Sequence, residues 1–171
     1  MKSELQSQLV RYVLRKNEDN EGFTIIELLI VFILIGILSA IALPSLLSQA
    51  AKAQQSEAKT YIGAVNRAQQ AYRMENTSFA GDIGTLEIGI PLSTNNYIYG
   101  IALDINTTTI TATAKDTAAL KGFNGGVTVL SAGQTLAIAC QTAGPQATNP
   151  ITPPSLTITG AACAGTMKTM D

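Results

Sequence analysis

A chain of 171 residues is long enough for one compact domain with an appendage and does not by itself call for two. Eleven basic against twelve acidic residues leave a net charge of -1, so the total charge offers no general attraction to nucleic acid or anionic lipid. Histidine is absent, which removes the commonest general base and metal ligand near neutral pH, and the sequence calls for no cofactor and no metal.

The polar stretch 1–22 sets Lys2, Arg11, Arg15 and Lys16 against Glu4, Glu18, Asp19 and Glu21 and reads as a leader. From Phe23 to Leu47 the only ionisable side chain is Glu27. A helix of about 25 residues is long enough to cross a hydrocarbon layer of roughly 30 Å. A secretory signal peptide would have a shorter apolar region and a small-residue cleavage site after it. The plain alternative is an uncleaved signal anchor. Arg11, Arg15 and Lys16 ahead of the span place the N-terminus in the cytoplasm and everything after Leu47 outside.

Beyond the span the helical pattern turns amphipathic. Ala58, Tyr61, Ile62, Val65, Ala68 and Tyr72 recur at spacings of three and four, with Lys59, Asn66, Arg67, Gln70 and Arg73 on other faces. Asn76, Thr77, Ser78 and Gly81 supply the stop. Short alternating runs follow: Tyr97 to Ile105, Thr109 to Ala114, Val127 to Leu130 and Thr135 to Ala139, with turns at Asp104 to Thr107 and Ser131 to Gln134. These predict a four-stranded antiparallel sheet covering the amphipathic half-helix, hence an α+β fold. Gly144 to Pro154 reads as loop, with an edge strand at Leu156 to Ile158. Cys140 and Cys163 are too far apart for a CxxC pattern, and a single disulfide is the simplest pairing.

The run Gly22-Phe23-Thr24-Ile25-Ile26-Glu27-Leu28-Leu29-Ile30-Val31, continuing to Pro44, resembles the N-terminal signature of type IV pilins and related pseudopilins. It joins a Gly before an aromatic residue, a Glu five positions into the new chain, a long apolar run and a proline near its end. Ser56 to Ala71 most resembles the major pilins of cyanobacteria. The resemblance implies the pilin fold, with a long helix over about 23–75, and four segments. These are a cytoplasmic leader (1–22), a transmembrane assembly half-helix (23–47), an amphipathic half-helix (48–80), and the sheet with a disulfide-bounded C-terminal region (81–171).

By the same resemblance, a prepilin peptidase and methyltransferase cuts between Gly22 and Phe23 and methylates the Phe23 amine. The product then leaves the inner membrane through an assembly platform as a homopolymer of pilin subunits. Glu27 pairs with the Phe23 amine of a neighbouring subunit, or neutralises the amine of its own chain. Gly36 and Pro44 weaken the helix, which either melts locally on assembly or simply kinks. Cys140 and Cys163 bound a variable region, as in similar pilins.

The competing functions are a type II secretion pseudopilin, a minor pilin that captures DNA, and a signal-anchored enzyme. The major pseudopilin of that class has an acidic C-terminal loop, whereas from Thr117 onward Asp171 is the sole acid here. Lys115 and Lys121 are too few for DNA binding at physiological salt, so DNA is not indicated as a partner. Asn76-Thr77-Ser78 and Asn106-Thr107-Thr108 match a glycosylation pattern that is common by chance.

Overall fold

The computed structural model describes residues 7, 8, 10–12 and 23–170. The chain divides into two compact units, Met1–Leu46 and Leu47–Asp171, each described by itself. One helix, α1, runs over Ile25–Glu75 and contributes to both.

In the first unit the helix is long and apolar enough to cross a membrane. Its large side chains from Ile25 to Leu43 all face outward, with none joining a core. An outward-facing array of Ile and Leu is stable only when hydrocarbon or other helices cover it.

In the second unit α1 buries Ala58, Ile62, Val65, Asn66 and Gln69, one face at helical spacing. Asn66 and Gln69 look misplaced in a core, and the sequence pattern puts Asn66 on another face. Both are there to satisfy backbone groups. Asn66 Nδ2 donates to the Ile138 carbonyl at 2.8 Å. Gln69 clamps Ala80 from both sides: its Nε2 donates to the Ala80 carbonyl at 2.8 Å and its Oε1 accepts from the Ala80 N–H at 2.9 Å. Buried amides with partners cost little, and these hold the sheet and the chain after α1 in register with the helix. The helix ends where Asn76 donates from both its backbone and its side chain to the Tyr72 carbonyl.

Strands β1 (Tyr97–Leu103), β2 (Thr107–Ala114), β3 (Phe123–Val129), β4 (Thr135–Gln141) and β7 (Lys168–Thr169) form one antiparallel sheet in the order β1-β2-β3-β4-β7. The expected sheet of four strands therefore has five, because the chain returns after the Cys140–Cys163 loop and adds Lys168–Thr169 to the β4 edge. Two residues carry no alternation to read. The expected edge strand at Leu156 is instead half of a separate ladder, in which β5 (Ser155–Thr157) pairs with β6 (Gly160–Ala162).

Strand β3 is the middle of the unit. Every residue from Phe123 to Thr128 is buried. A Cβ added to Gly125 would lie 2.7 Å from Ile62 Cγ2, and one added to Gly126 would lie 2.7 Å from Leu156 Cδ1. The helix thus rests on one face of the strand and the C-terminal segment on the other. On the second face Asn124 Nδ2 donates to the Thr152 carbonyl, and Thr128 Oγ1 donates to the Thr157 carbonyl at 3.1 Å. The sulfur of buried Met167 accepts from Asn124 Nδ2 at 3.3 Å and from the Thr152 N–H at 3.2 Å, fixing this layer from inside. Periodicity alone starts this strand at Val127, because a Gly-Gly pair reads as a turn. The structure shows glycines where two layers approach one backbone.

The core joins Ile62, Val65, Tyr97, Tyr99, Ile110 and Phe123 with smaller neighbours. Strand β1 alternates as expected at Tyr97 and Tyr99, which are buried, but Leu103 is 44% and Ile105 84% exposed. The apolar alternation outruns the covering helix, which has already stopped at Glu75.

Candidate functional site

The site indicated by the sequence is the start of α1. Gly22, one side of the expected cleavage, lies outside the described residues. Phe23 precedes the helix and is 81% exposed. The next residue, Thr24, caps the helix. The Glu27 N–H donates to Thr24 Oγ1 at 3.3 Å, while the Thr24 N–H and hydroxyl both donate to Glu27 Oε2 at 2.8 Å. This is a capping box: hydroxyl and carboxylate reciprocally satisfy two N–H groups that a helix start leaves unpaired.

The arrangement alters the reading of Glu27. Its Oε2 has two donors from its own chain, whereas Oε1 has no partner among the described residues. One oxygen is therefore occupied in holding the helix end, and the other is open to a cation. Thr24 is the residue missed at the sequence level, although Thr-x-x-Glu before an apolar run is a recognised helix-start signal.

The structure is helical through both Gly36 and Pro44. A Cβ at Gly36 would meet nothing within 4 Å, so no contact in the isolated chain requires a glycine there. Pro44 lacks the N–H that would close on the Ala40 carbonyl.

In the second unit Cys140 and Cys163 form a disulfide between β4 and the segment after β6, 23 residues apart. It lies far along the chain from the Phe23–Glu27 cluster and anchors the C-terminal layer. Glu57 accepts from the Tyr99 hydroxyl at 3.3 Å and from Asn96 Nδ2 at 3.1 Å, tying α1 to the start of β1. Burial first, then the Glu57 charge, holds the Tyr97 and Tyr99 phenols well above their ordinary range. The Thr85 hydroxyl and N–H, both donating to Asp82, hold that carboxyl below the usual range.

Two family descriptions match the chain: type IV pilin-like G and H over residues 55–164, and the prokaryotic N-terminal methylation motif over 19–43. The first covers more than half of the sequence. The chain belongs to the type IV pilin-like G and H family. Among relatives, the type IV major pilin protein PilA of Myxococcus xanthus is 47% identical over 75 residues, covering 42% of this chain and 34% of that protein. Fimbrial protein EcpC of Eikenella corrodens is 37% identical over 108 residues, covering 61% of this chain and 69% of that protein. Type II secretion system core protein G of Vibrio cholerae is 32% identical over 82 residues, 48% of this chain and 56% of that protein. The matched part thus spans about a third of the Myxococcus pilin and about two thirds of the Eikenella protein. No solved structure gave a significant match. Membership of this pilin-like family points to a structural protein. The methylation motif covers the capped helix start, including Phe23, Thr24 and Glu27.

Proposed function

We propose that this pilin-like chain is the structural subunit, as the major component, of a type IV pilus. It is made as a precursor in the inner membrane with its N-terminus in the cytoplasm. A prepilin peptidase and methyltransferase cuts it after Gly22 and methylates the Phe23 amine, and an assembly platform polymerises it into an extracellular fibre serving motility, adhesion or DNA uptake. The observation that carries this reading is Glu27, alone in an apolar half-helix, with Oε2 engaged by Thr24 and Oε1 open.

A charged side chain at the centre of a membrane helix costs about 2.5–3.5 kcal/mol on insertion scales, an upper bound for Glu27 in the first turn. Two donors from Thr24 reduce that cost without cancelling the charge. Cleavage before Phe23 creates an ammonium group at the positive end of the helix dipole, able to pair with a carboxylate oxygen. When subunits pack, the amine of one chain fills the open position of another, so register is set by the one place where a buried charge finds its partner. Gly36 and Pro44 supply a stretch whose helical bonds are the weakest to keep and which melts locally on assembly.

The test is the yield of sheared surface filament. Glu27→Gln keeps the shape and the Thr24 hydrogen bonds but loses the charge, and filament yield should fall at least tenfold while membrane-bound precursor persists. Thr24→Ala removes the cap hydroxyl, worth about 1 kcal/mol, and should cost several-fold. Normal filaments from Glu27→Gln contradict the reading. A second reading, a secretion pseudopilin, draws on the likeness to core protein G. Only short periplasmic assemblies, with no surface fibre at native expression, would favour it.

A further inference from the structure

We infer that the β1–β2 hairpin tip, Leu103-Asp104-Ile105, docks in a lysine-lined groove of a second copy of this chain, joining successive heads along the fibre. The inference rests on the fibre reading and names its head-to-head contact.

The groove, about 640 Å³, opens at the end of the second unit where α1 enters, and Lys52, Gln55, Lys59, Lys121, Ala51 and Pro145 shape it. No acidic residue lines it, and none of the three ammonium groups has a salt-bridge partner among the described residues. Three cations lining one groove with small apolar and uncharged polar side chains favour the entry of an anion. Its surroundings are fixed: the Tyr97 hydroxyl donates to the Lys121 carbonyl at 3.1 Å, and Glu57 holds Asn96 and Tyr99.

The hairpin tip lies at the opposite end of the unit. Leu103 lies beside Gly81, just past the end of α1, and the Val129 N–H donates to the Asn106 carbonyl, which ties the tip to the far end of β3. Asp104 Oδ1 accepts from the Ile105 N–H at 2.8 Å, which holds the turn while Oδ2 has no partner among the described residues. Leu103 and Ile105 flank it, 44% and 84% exposed. A carboxylate with one open oxygen between two uncovered aliphatic side chains suits a groove lined by three lysines with Ala51, Ala119 and Pro145.

The occupant has to be another molecule. Lys52 and Glu75 are separated by 23 residues of one helix, about 35 Å of rise, so a tip at one end cannot reach a groove at the other within a chain. A contact between unlike surfaces of identical subunits does not close on itself unless the rotation makes a ring, and otherwise propagates as an open helical filament.

The test uses the full chain in cells, with sheared filament measured against total subunit and against its disulfide state on a non-reducing gel. K59E/K121E and D104K should each cut filament yield about tenfold, and the combination should return it to within about threefold of the unaltered chain. The milder K59Q/K121Q and D104N guard against misfolding: if the two surfaces meet, their losses do not add. Unchanged yield in the single sets, additive losses, or no recovery in the combination overturns the docking while leaving the fibre reading intact. Filaments absent from the unaltered chain would refute the fibre reading, and the docking with it.

Discussion

Replacing Gly125 by Ala tests whether β3 is pressed between two layers. The added Cβ would stand 2.7 Å from Ile62 Cγ2 and 2.9 Å from Asn66 Nδ2, both on the buried face of α1. Neither side chain can yield freely: Ile62 is 0% exposed and Asn66 is bonded to the Ile138 carbonyl at 2.8 Å. Overpacking of this kind costs about 1–3 kcal/mol, offset by roughly 0.5–1 kcal/mol from removing a strand glycine. The net expectation is a loss of about 1–2 kcal/mol. For a head of about 125 residues the unfolding entropy is near 0.26 kcal/mol/K, so Tm falls by about 4–8 °C. Thermal unfolding of the full chain in detergent, followed by far-ultraviolet circular dichroism, reads this directly. Ile62→Leu removes the Cγ2 methyl that the new Cβ meets. The double variant should therefore be more stable than the sum of the singles by at least about 0.5 kcal/mol. A neutral Gly125→Ala, or strict additivity with Ile62→Leu, refutes the close approach of helix and strand.

Removing the disulfide in a Cys140→Ser/Cys163→Ser variant opens a loop of 24 residues, counting both cysteines. In the chain-entropy relation this costs about 3.4 kcal/mol, or roughly 13 °C in Tm. Hydrogen exchange should rise first at Thr152 to Thr157 and at Lys168–Thr169, before β1 and β2; uniform loosening of the sheet would argue against a separately pinned C-terminal layer. Alkali should also destabilise the head. The folded Tyr97 and Tyr99 phenols titrate above their unfolded value, so their contribution is complete below about pH 10 and is lost as pH rises beyond it. Tyr99→Phe should flatten the fall in Tm above pH 10, and an unchanged slope would contradict the burial argument. At the acid end the sign reverses for Asp82. Its contribution is present above the ordinary carboxylate range near pH 4 and fades as pH falls through its lowered value, so Asp82→Asn should weaken the acid dependence.

The long helix was legible because its two halves follow different solvents: apolar all round through Leu47, then one-sided. Its stop at Glu75 was legible from Asn76. Tyr97 and Tyr99 announced β1 by alternation, and Thr109 to Ala114 announced β2 in the same way, although the strand begins two residues earlier, at Thr107. Three features did not show in periodicity. Gly125 and Gly126 carry no side chain to alternate, and their role exists only once two other layers are placed. Lys168–Thr169 forms a strand because the disulfide brings the chain back to the β4 edge, not because of any local preference. Asn66 looked like a solvent-facing residue and is buried together with Gln69, which no apolar spacing picks out, since only the folded chain reveals the backbone groups they satisfy.

At the helix start, Glu27 stood out as a lone acid in an apolar run, whereas Thr24 did not, because a threonine beside a membrane span is unremarkable until its hydroxyl is seen meeting the carboxylate. The capping box occupies only one Glu27 oxygen, so in the proposed assembly a neighbour's amine would meet the other.

The most direct measurement is the intact mass of the protein sheared from the cell surface. The account predicts a chain that begins at Phe23, carries one added methyl group, and is lighter by two hydrogens for the Cys140–Cys163 bond. Material that still begins at Met1, or an unmethylated Phe23 in assembled fibre, would contradict it.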